Sequence, residues 1–529
     1  MKQILFLCAM GIFLFGCQKK TRPIDDNQQI LRLNIHTEPP SLDARKANDT
    51  SSIAIINMCF EGLMKRGKEG AIEPAIAHRV EISDDNLTYT FHLRPAKWWD
   101  GRAVTAQDFE TTWKTILNPS FPSGFAQELY TLKNGMAAKN GMVSINEVGV
   151  VALDEETLQV ELDHPVPYFL DLVASHAFLA VPAHITKLSP HWADDGSSLF
   201  VGNGPYKLTE WKHHNSLTLK RNDEYWDVDS VTMDEIHMYI VQDEMTELNM
   251  FESDELDWAG QPLSTLPTDA LQALGAQGRL QTYPMSGTYY YIFNCQQPPF
   301  DNVHFRKAFS LAINRKTIIE NITQSKQIPA TGFIPPTIWQ INPHFEDNDI
   351  QEAKKLFSIA LKEMGYTRDT LPPITLIYNT CAAHHKIAQV IQEQWFRAFG
   401  IRVKLANMEW KVFLNELMHK QFQVARMGGI GTFNDPMTFF DLYRYPHSSN
   451  NYSGWSNTEF TELIQNAEMT VDPIKRELFL REAEKIFMDE MPIAPIYYYT
   501  GTYIKKKYVK GIQLSEFSDA NFKFAFLEL

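Results

Sequence analysis

The sequence predicts an α/β protein with more than one domain. Its 529 residues exceed what a single hydrophobic core usually organises, so two or three domains are expected. Apolar residues make up 44% of the chain and charged residues 21%, which is a globular composition and not a disordered one. Strand-like alternating segments are interleaved with segments that carry apolar residues at helical spacing, and this order favours mixed α/β layers.

The chain begins with a segment typical of export and processing. Residues 4–16 form an apolar run that is too short to span a bilayer. The run ends in Leu-Phe-Gly before Cys17, which resembles a bacterial lipoprotein signal whose cleavage exposes the cysteine for lipidation. A plain secretory signal is the alternative. We therefore expect a signal peptide at residues 1–16, a tether at residues 17–29 and a lipid anchor on Cys17.

Charge, cysteine usage and missing motifs exclude several classes of protein. The net charge of -15 argues against a nucleic-acid partner. Beyond the signal the chain keeps Cys59, Cys295 and Cys381, which lack metal-site spacing; whether any of them pair stays open. No Gly-x-Ser-x-Gly or His-Glu-x-x-His motif occurs, so an envelope hydrolase is only a remote alternative. We expect a protein that is not an enzyme and holds neither a metal nor another cofactor.

Local patterns predict the following elements in order. Strands are expected at 30–35, 87–94, 374–378 and 401–405, and helices at 51–64, 303–319 and 388–399. Thr105 and Asp108 are spaced as a capping box at the start of a further helix. Either Asp301 or Asn302 stands where a helix N-cap is expected, and Gly400 stands where a C-cap is expected.

The stretch from Gln423 to Pro436 carries the main functional signal. A strand-like run stops at Arg426, and three glycines follow within four positions, Gly428, Gly429 and Gly431. Glycine lets another chain approach the backbone closely, and the Asn-Asp-Pro at the end is a turn signal. A strand that runs into a Gly-rich loop beside a fixed cation suits an extended ligand bound through its main chain. A plain surface loop is the alternative.

An ordered series of motifs covers most of the remaining chain. The series comprises Ser83–Arg94, Lys97–Gly101, Val104–Phe109, Gly202–Leu208, Arg221–Trp226, Tyr289–Asn294 and Leu361–Tyr366. It resembles the signature of the family 5 extracellular solute-binding proteins, which are the oligopeptide, dipeptide and nickel receptors of ABC importers. The series is most similar to the oligopeptide-binding branch.

The resemblance implies a two-lobed periplasmic-binding-protein fold of type II, which closes by a hinge around its ligand and carries an extra subdomain. It divides the chain into lobe I at 30–60, 186–284 and 499–529, the extra subdomain at 61–185, and lobe II at 285–498. The implied function is capture of short peptides in the periplasm or cell envelope and delivery to an ABC permease. The receptor is expected to be a monomer that meets the membrane only through its lipid. A murein peptide, a nickel chelate or haem is the alternative ligand.

The resemblance also assigns ligand-binding positions. Trp410 matches a tryptophan that packs against ligand side chains. Arg426 and Gly428 match positions beside the peptide main chain, and His384 matches a histidine near the ligand's carboxyl end.

Two further matches and two departures complete the implied site. Tyr289 and Tyr498 match aromatic residues that line the cleft. At Thr432 receptors of this type usually carry an aspartate that pairs with the ligand's free amine. A hydroxyl is not a counter-charge, and Gly429 stands where such receptors often carry a tryptophan. The site is therefore predicted to be wider and differently charged, with Asp435 as the nearest acid that could substitute. Peptide length, side-chain preference and the choice between ordinary and modified peptides stay open.

Overall fold

The computed structural model describes the chain in five stretches, 28–47, 49–67, 70–194, 199–446 and 450–528. The predicted signal peptide, most of the tether and the predicted lipidation site Cys17 lie outside these stretches. Within them, no helix is both long enough and apolar enough to cross a bilayer.

The strands are short except for two. In chain order they are β1 Ile30–Asn34, β2 Met64–Arg66, β3 Ile72–Pro74, β4 Ala77–Ile82, β5 Thr88–Leu93, β6 Val150–Ala152, β7 Thr157–Glu161, β8 Tyr206–Lys212, β9 Ser216–Arg221, β10 Glu235–Tyr239, β11 Trp258–Gly260, β12 Gln281–Phe293, β13 Ile328–Pro329, β14 Thr375–Asn379, β15 Lys404–Met408, β16 Val424–Ile430, β17 Ile493–Lys505, β18 Val509–Lys510, β19 Gln513–Ser515, β20 Asp519–Asn521 and β21 Phe526–Leu527.

The helices are interleaved with these strands, as the sequence predicts for an α/β protein. In chain order they are α1 Thr50–Cys59, α2 Ala106–Ile116, α3 Gly135–Lys139, α4 Phe169–Val173, α5 Ala183–Thr186, α6 Glu244–Glu252, α7 Thr268–Ala276, α8 Val303–Leu311, α9 Arg315–Ile318, α10 Ile350–Met364, α11 Ala382–Phe399, α12 Trp410–Met418, α13 Met437–Phe440, α14 Thr458–Glu468 and α15 Pro473–Glu490.

Three larger sheets organise the molecule into two lobes. The first lobe holds a four-stranded sheet of order β1-β10-β9-β8, in which β1 and β10 are parallel. A second four-stranded sheet, β4-β5-β7-β6, is antiparallel throughout and belongs to the extra subdomain. The other lobe is built on the mixed sheet β11-β17-β12-β16-β14-β15, with β13 added beside β17.

Separate apolar cores fill the two lobes. One core unites Leu31 of β1 and Phe91 of β5 with Phe522 near the chain end, so the subdomain and the last residues share the core of the first lobe. Two further cores cover opposite faces of the mixed sheet. Tyr289 belongs to one of these cores and Tyr290 to the other, because successive side chains of a strand alternate between faces.

Two long strands join the lobes. β12 and β17 pair antiparallel over most of their lengths, with register shifts between Pro284 and Thr288 and between Tyr289 and Tyr290. At one end β17 pairs with β11, and at the other end β12 pairs with β16. The lobe boundaries expected after residues 284 and 498 therefore fall inside continuous strands and not in loops.

The local signals that cap helices are confirmed. The Thr105 backbone N–H donates to Asp108 Oδ2 at 2.9 Å, which forms the expected capping box at α2. The Asn302 side chain accepts the Phe305 N–H at the start of α8, and Gly400 ends α11 in the left-handed conformation.

Three expected elements differ in the structure. The helix expected at 51–64 ends at Cys59, and Met64 begins β2. The helix expected at 303–319 is broken into α8 and α9, because the turn at Ala312–Asn314 lets Asn314 cap a second helix. The strand expected at 401–405 begins only at Lys404, since its register is set by parallel pairing with β14 from Thr375 onward.

A fourth difference concerns the glycines. Gly428 and Gly429 lie inside β16, opposite Tyr289 and Thr288 of β12, and not in a loop. Neither has a positive φ, so what they contribute is the absence of a side chain.

Candidate ligand-binding cleft

Three neighbouring strands bring an aromatic cluster around Arg426. β16 pairs with β12, which places Arg426 opposite Tyr291, and β12 pairs with β17, which places Tyr289 opposite Tyr497. Tyr289 stacks on Tyr497 with ring centroids 4.7 Å apart, and Tyr499 meets Tyr289 edge-on at 6.1 Å. The cluster follows from strand register, because alternate residues on adjacent strands face the same side.

The guanidinium of Arg426 is held by neutral groups. Its Nη2 donates to Tyr499 Oη at 3.1 Å and its Nη1 donates to Asn379 Oδ1 at 3.3 Å. The guanidinium carbon lies 4.7 Å from the Tyr289 ring centroid, in cation–π range. The described residues offer this cation no carboxylate, and its Nε is buried without a hydrogen-bond partner among them.

His384 stands beside this cation as a neutral imidazole. His384 lies in the first turn of α11, and its Nδ1 is 3.3 Å from Tyr289 Oη. Burial lowers the pKa of His384 to about 3, and the nearby charge of Arg426 acts in the same direction. The cleft therefore offers one fixed positive charge next to an uncharged hydrogen-bonding ring.

Gly428 leaves the space that the Tyr499 hydroxyl occupies. A Cβ at Gly428 would lie 2.2 Å from Tyr499 Oη, whereas a Cβ at Gly429 would meet nothing closer than Tyr290 Oη at 3.9 Å. We expect Gly428→Ala to destabilise the protein by about 1–3 kcal/mol, the usual cost of overpacking, with displacement of Tyr499 from Arg426. Urea unfolding measures the loss.

Two matched variants control this prediction. Gly429→Ala makes the same chemical change one residue along and is expected to be nearly neutral. In a Tyr499→Phe background the clashing hydroxyl is gone, so Gly428→Ala should cost less there than in the wild type. Equal costs at Gly428 in both backgrounds would show that the Tyr499 hydroxyl is not what requires glycine.

Tyr498, expected to line the cleft, lies on the opposite face of β17. Its ring is 2% exposed and its hydroxyl donates to the Gly332 carbonyl at 3.2 Å. Its neighbour Tyr499 reaches Arg426 instead. The expectation was one residue out of register, and a slip of one residue reverses the face of a strand side chain.

Asp435, expected as the substitute acid for a ligand amine, is already paired. Its carboxylate receives two hydrogen bonds from Arg476, at 2.7 and 2.9 Å, and accepts the Met437 N–H. Both side chains of the ion pair are buried. The assignment of Asp435 to the ligand is therefore wrong, because a buried bidentate pair leaves the carboxylate no capacity for an ammonium.

The remaining assigned residues are Thr432 and Trp410. Thr432 is exposed beyond the end of β16, and its N–H donates to Thr438 Oγ1 at 3.0 Å. Trp410 is the first residue of α12, is 45% exposed, and has Phe413 as its ring neighbour, with centroids 5.9 Å apart. The structure does not bring Trp410 to the Arg426 cluster.

A cavity of about 770 Å³ lies between the lobes at the far end of β16. Ile430, Gly431 and Thr432 line it from one lobe, and residues of the subdomain, α1 and the chain end line it from the other. Next to it Phe433 stacks on Tyr168 of the subdomain, with ring centroids 4.1 Å apart. Sequence reasoning missed this contact, since no local signal pairs residues so far apart in the chain.

The two lobes, the intervening cavity and the strand-borne cation define a solute-binding protein. Residues 71–451 match the family profile described as "Bacterial extracellular solute-binding proteins, family 5 Middle". The chain belongs to this family. It is 41% identical to the oligopeptide-binding protein OppA of Bacillus subtilis (strain 168), over 99% of this chain and 97% of that protein.

Solved structures agree with the sequence comparison. A periplasmic oligopeptide-binding protein of Borrelia burgdorferi superposes with a TM-score of 0.82 at 31% identity, covering 94% of this chain and 100% of that one. Haemophilus influenzae OppA in complex with the peptide RPPGFSPFR superposes with a TM-score of 0.79 at 28% identity, covering 95% of this chain and 99% of that one. The two-lobed fold expected from the sequence is confirmed.

Proposed function

We propose that this protein captures short peptides outside the inner membrane and delivers them to an ABC permease. The observation that carries the proposal is an unpaired strand edge. β14 pairs with β16 only at Val424 and Ala425, so no described strand covers that edge of β16 over Met427–Ile430. A peptide that adds there as a strand gains main-chain hydrogen bonds, and Gly428 and Gly429 place no side chain in its way.

The charge of Arg426 supports a peptide with a free carboxyl end. The Arg426 side chain is half-buried. A cation partly withdrawn from water without a carboxylate partner is costly, and a ligand carboxylate reduces that cost while forming charge-assisted hydrogen bonds. Neutral His384 stands within the same cluster and adds no competing charge.

Arg426→Met is expected to weaken binding of free-acid peptides by roughly 10- to 100-fold, the usual range for losing a hydrogen bond to a charged group. C-terminally amidated versions of the same peptides carry no carboxylate and should lose far less. Isothermal titration calorimetry with both forms measures the difference. Equal losses for acid and amide would place the role of Arg426 in the fold and not in recognition.

Ligand identity is tested on protein purified from its native envelope. Denaturation followed by mass spectrometry should release intact short peptides, as expected of a receptor that does not turn over its ligand. If the dominant released species were a murein peptide, a nickel chelate or haem, the proposal for ordinary peptides would be refuted. The relative that is 41% identical over almost the whole chain is an oligopeptide-binding protein, which favours ordinary peptides.

The proposed receptor is anchored through Cys17, is monomeric and has discontinuous lobes. Labelled palmitate should enter the wild-type protein and not Cys17→Ala, because the lipid is attached through that thiol. Labelling of both proteins to the same extent would refute the anchor. The return of the chain end to lobe I is supported by Val509 and Leu527, which share the core of Leu31.

A further inference from the structure

One end of the cavity is formed by the extra subdomain and presents two polar side chains, Glu128 and His176. The turn Ala126–Thr131 carries Glu128 and packs against the turn His176–Phe178. The Phe125 ring meets the imidazole edge-on, with centroids 5.2 Å apart. Packing of these turns therefore directs both side chains to the same cavity.

Neither side chain is satisfied by the rest of the described chain. The Glu128 carboxylate has no hydrogen-bond or ion-pair partner there, and desolvation alone accounts for a rise of its pKa to about 7. His176 Nε2 is buried and also lacks a partner among the described residues. Burial lowers the pKa of His176 to about 4, so it is a neutral imidazole at physiological pH. The Glu128 side chain is half-buried, and polar groups withdrawn from water are normally hydrogen-bonded, so both side chains are suited to a ligand donor.

Two of the three lysine and arginine side chains that line the same cavity are already paired. Arg66 lies 3.2 Å from Asp171, and Lys523 lies 2.6 Å from Asp227. The third, Lys65, stands in a cation–π contact 5.7 Å from the Trp226 ring centroid. The Glu128 carboxylate, by contrast, has no counter-charge among the described residues.

Other carboxylates around the cavity are less suited to the task. Asp519 accepts a hydrogen bond from Asn57 at 3.1 Å and another from its own loop. On the opposite wall Thr432 has no charge, and Asp435 is held by Arg476. Glu61 accepts hydrogen bonds from Tyr225 and Trp226, and Glu516 lines the cavity from the side of the chain end. Glu128 combines a half-buried position, a turn packed against that of His176 and a carboxylate with no partner among the described residues.

We propose that Glu128, with neutral His176 beside it, binds a cationic group of the captured peptide. The group is an ammonium or guanidinium, supplied by the peptide's amino terminus or by a lysine or arginine side chain. This inference rests on the proposed peptide-binding function. It moves recognition of the ligand's positive charge from the loop after β16 to the facing subdomain.

The test is calorimetric titration of wild type and Glu128→Gln with four tetrapeptides. Each peptide has three alanines after its first residue, which is lysine in two peptides and norleucine in the other two. In each pair, one peptide has a free amino terminus and the other an acetylated one. Loss of the Glu128 charge should lower the affinity for the cationic peptides by roughly 10- to 100-fold, as for other hydrogen bonds to charged groups. Acetyl-norleucine peptide, which carries no cation, should bind both proteins equally.

The pattern of loss identifies the cation. A loss confined to free-amine peptides assigns the amino terminus, and a loss confined to lysine peptides assigns the side chain; either supports the proposal. Glu155→Gln makes the same change on an exposed acid of the subdomain that does not line the cavity, and should bind all four like the wild type.

Two results would overturn the inference while leaving the proposed function intact. One is unchanged affinity of Glu128→Gln for every peptide, and the other is an equal loss for all four, which would indicate a structural role. If the wild type binds none of the four peptides, the peptide-binding function fails first and the inference fails with it. Melting curves of each variant verify that the comparison is made on folded protein.

Discussion

Asp435→Ala is expected to destabilise the protein by about 3–5 kcal/mol, the range for removing one partner of a buried ion pair. In the wild type the Arg476 guanidinium donates two hydrogen bonds to the Asp435 carboxylate, at 2.7 and 2.9 Å. The change removes both acceptors and leaves the guanidinium buried. The pair ties the turn before α13 to α15, so its loss affects packing behind the loop that follows β16. Urea unfolding measures the change in stability.

A double-mutant cycle controls the prediction for this ion pair. Adding Arg476→Met to Asp435→Ala removes the stranded charge, so the double variant should be more stable than Asp435→Ala alone. Peptide binding provides a second readout. If Asp435→Asn abolished binding of free-amine peptides while the protein stayed as stable as the wild type, the carboxylate would serve the ligand and not Arg476.

Glu128→Gln is expected to stabilise the empty protein at about pH 8 by about 3 kcal/mol and to leave its stability at about pH 4 unchanged. Folding raises the pKa of Glu128 from 4.5 to about 7, so the folded state binds this proton more tightly than the unfolded state. Stability of the wild type therefore falls as pH rises through this interval. Glutamine does not titrate in this range, so the stability of Glu128→Gln should not show this decrease.

Urea midpoints of wild type and Glu128→Gln across this pH range test the prediction. His176 is present in both proteins, so its own titration largely cancels from the difference. Glu155→Gln should show no such pH-dependent gain, because that side chain is exposed. A constant difference between the proteins at every pH would mean that folding does not raise the pKa of Glu128.

The opposite signs of these two predictions have a common cause. The Asp435 carboxylate has its counter-charge inside the protein, whereas the part of the chain that the structure describes provides none for the Glu128 carboxylate. A group whose partner arrives with the ligand reduces the stability of the free receptor, as is common for binding sites.

The sequence by itself determined the features that depend on neighbours a few residues away. The capping box of Thr105 and Asp108, the cap at Asn302 and the left-handed end at Gly400 all lie where their local patterns predict. Strand and helix alternation predicted the α/β class, and the ordered motifs predicted the family. Such signals survive in the sequence because hydrogen bonds within one helical turn, or alternation along one strand, are short-range.

Only the tertiary structure decided which side chains meet in the cleft. Tyr499 and not Tyr498 reaches Arg426, because the face of a strand residue depends on a register set by distant strands. Asp435 pairs with Arg476 of α15, and Glu128 has no partner among the residues that the structure describes. Neither outcome can be read from the adjacent sequence. Pairing of charges across a fold depends on which elements pack together, and local composition cannot encode that choice.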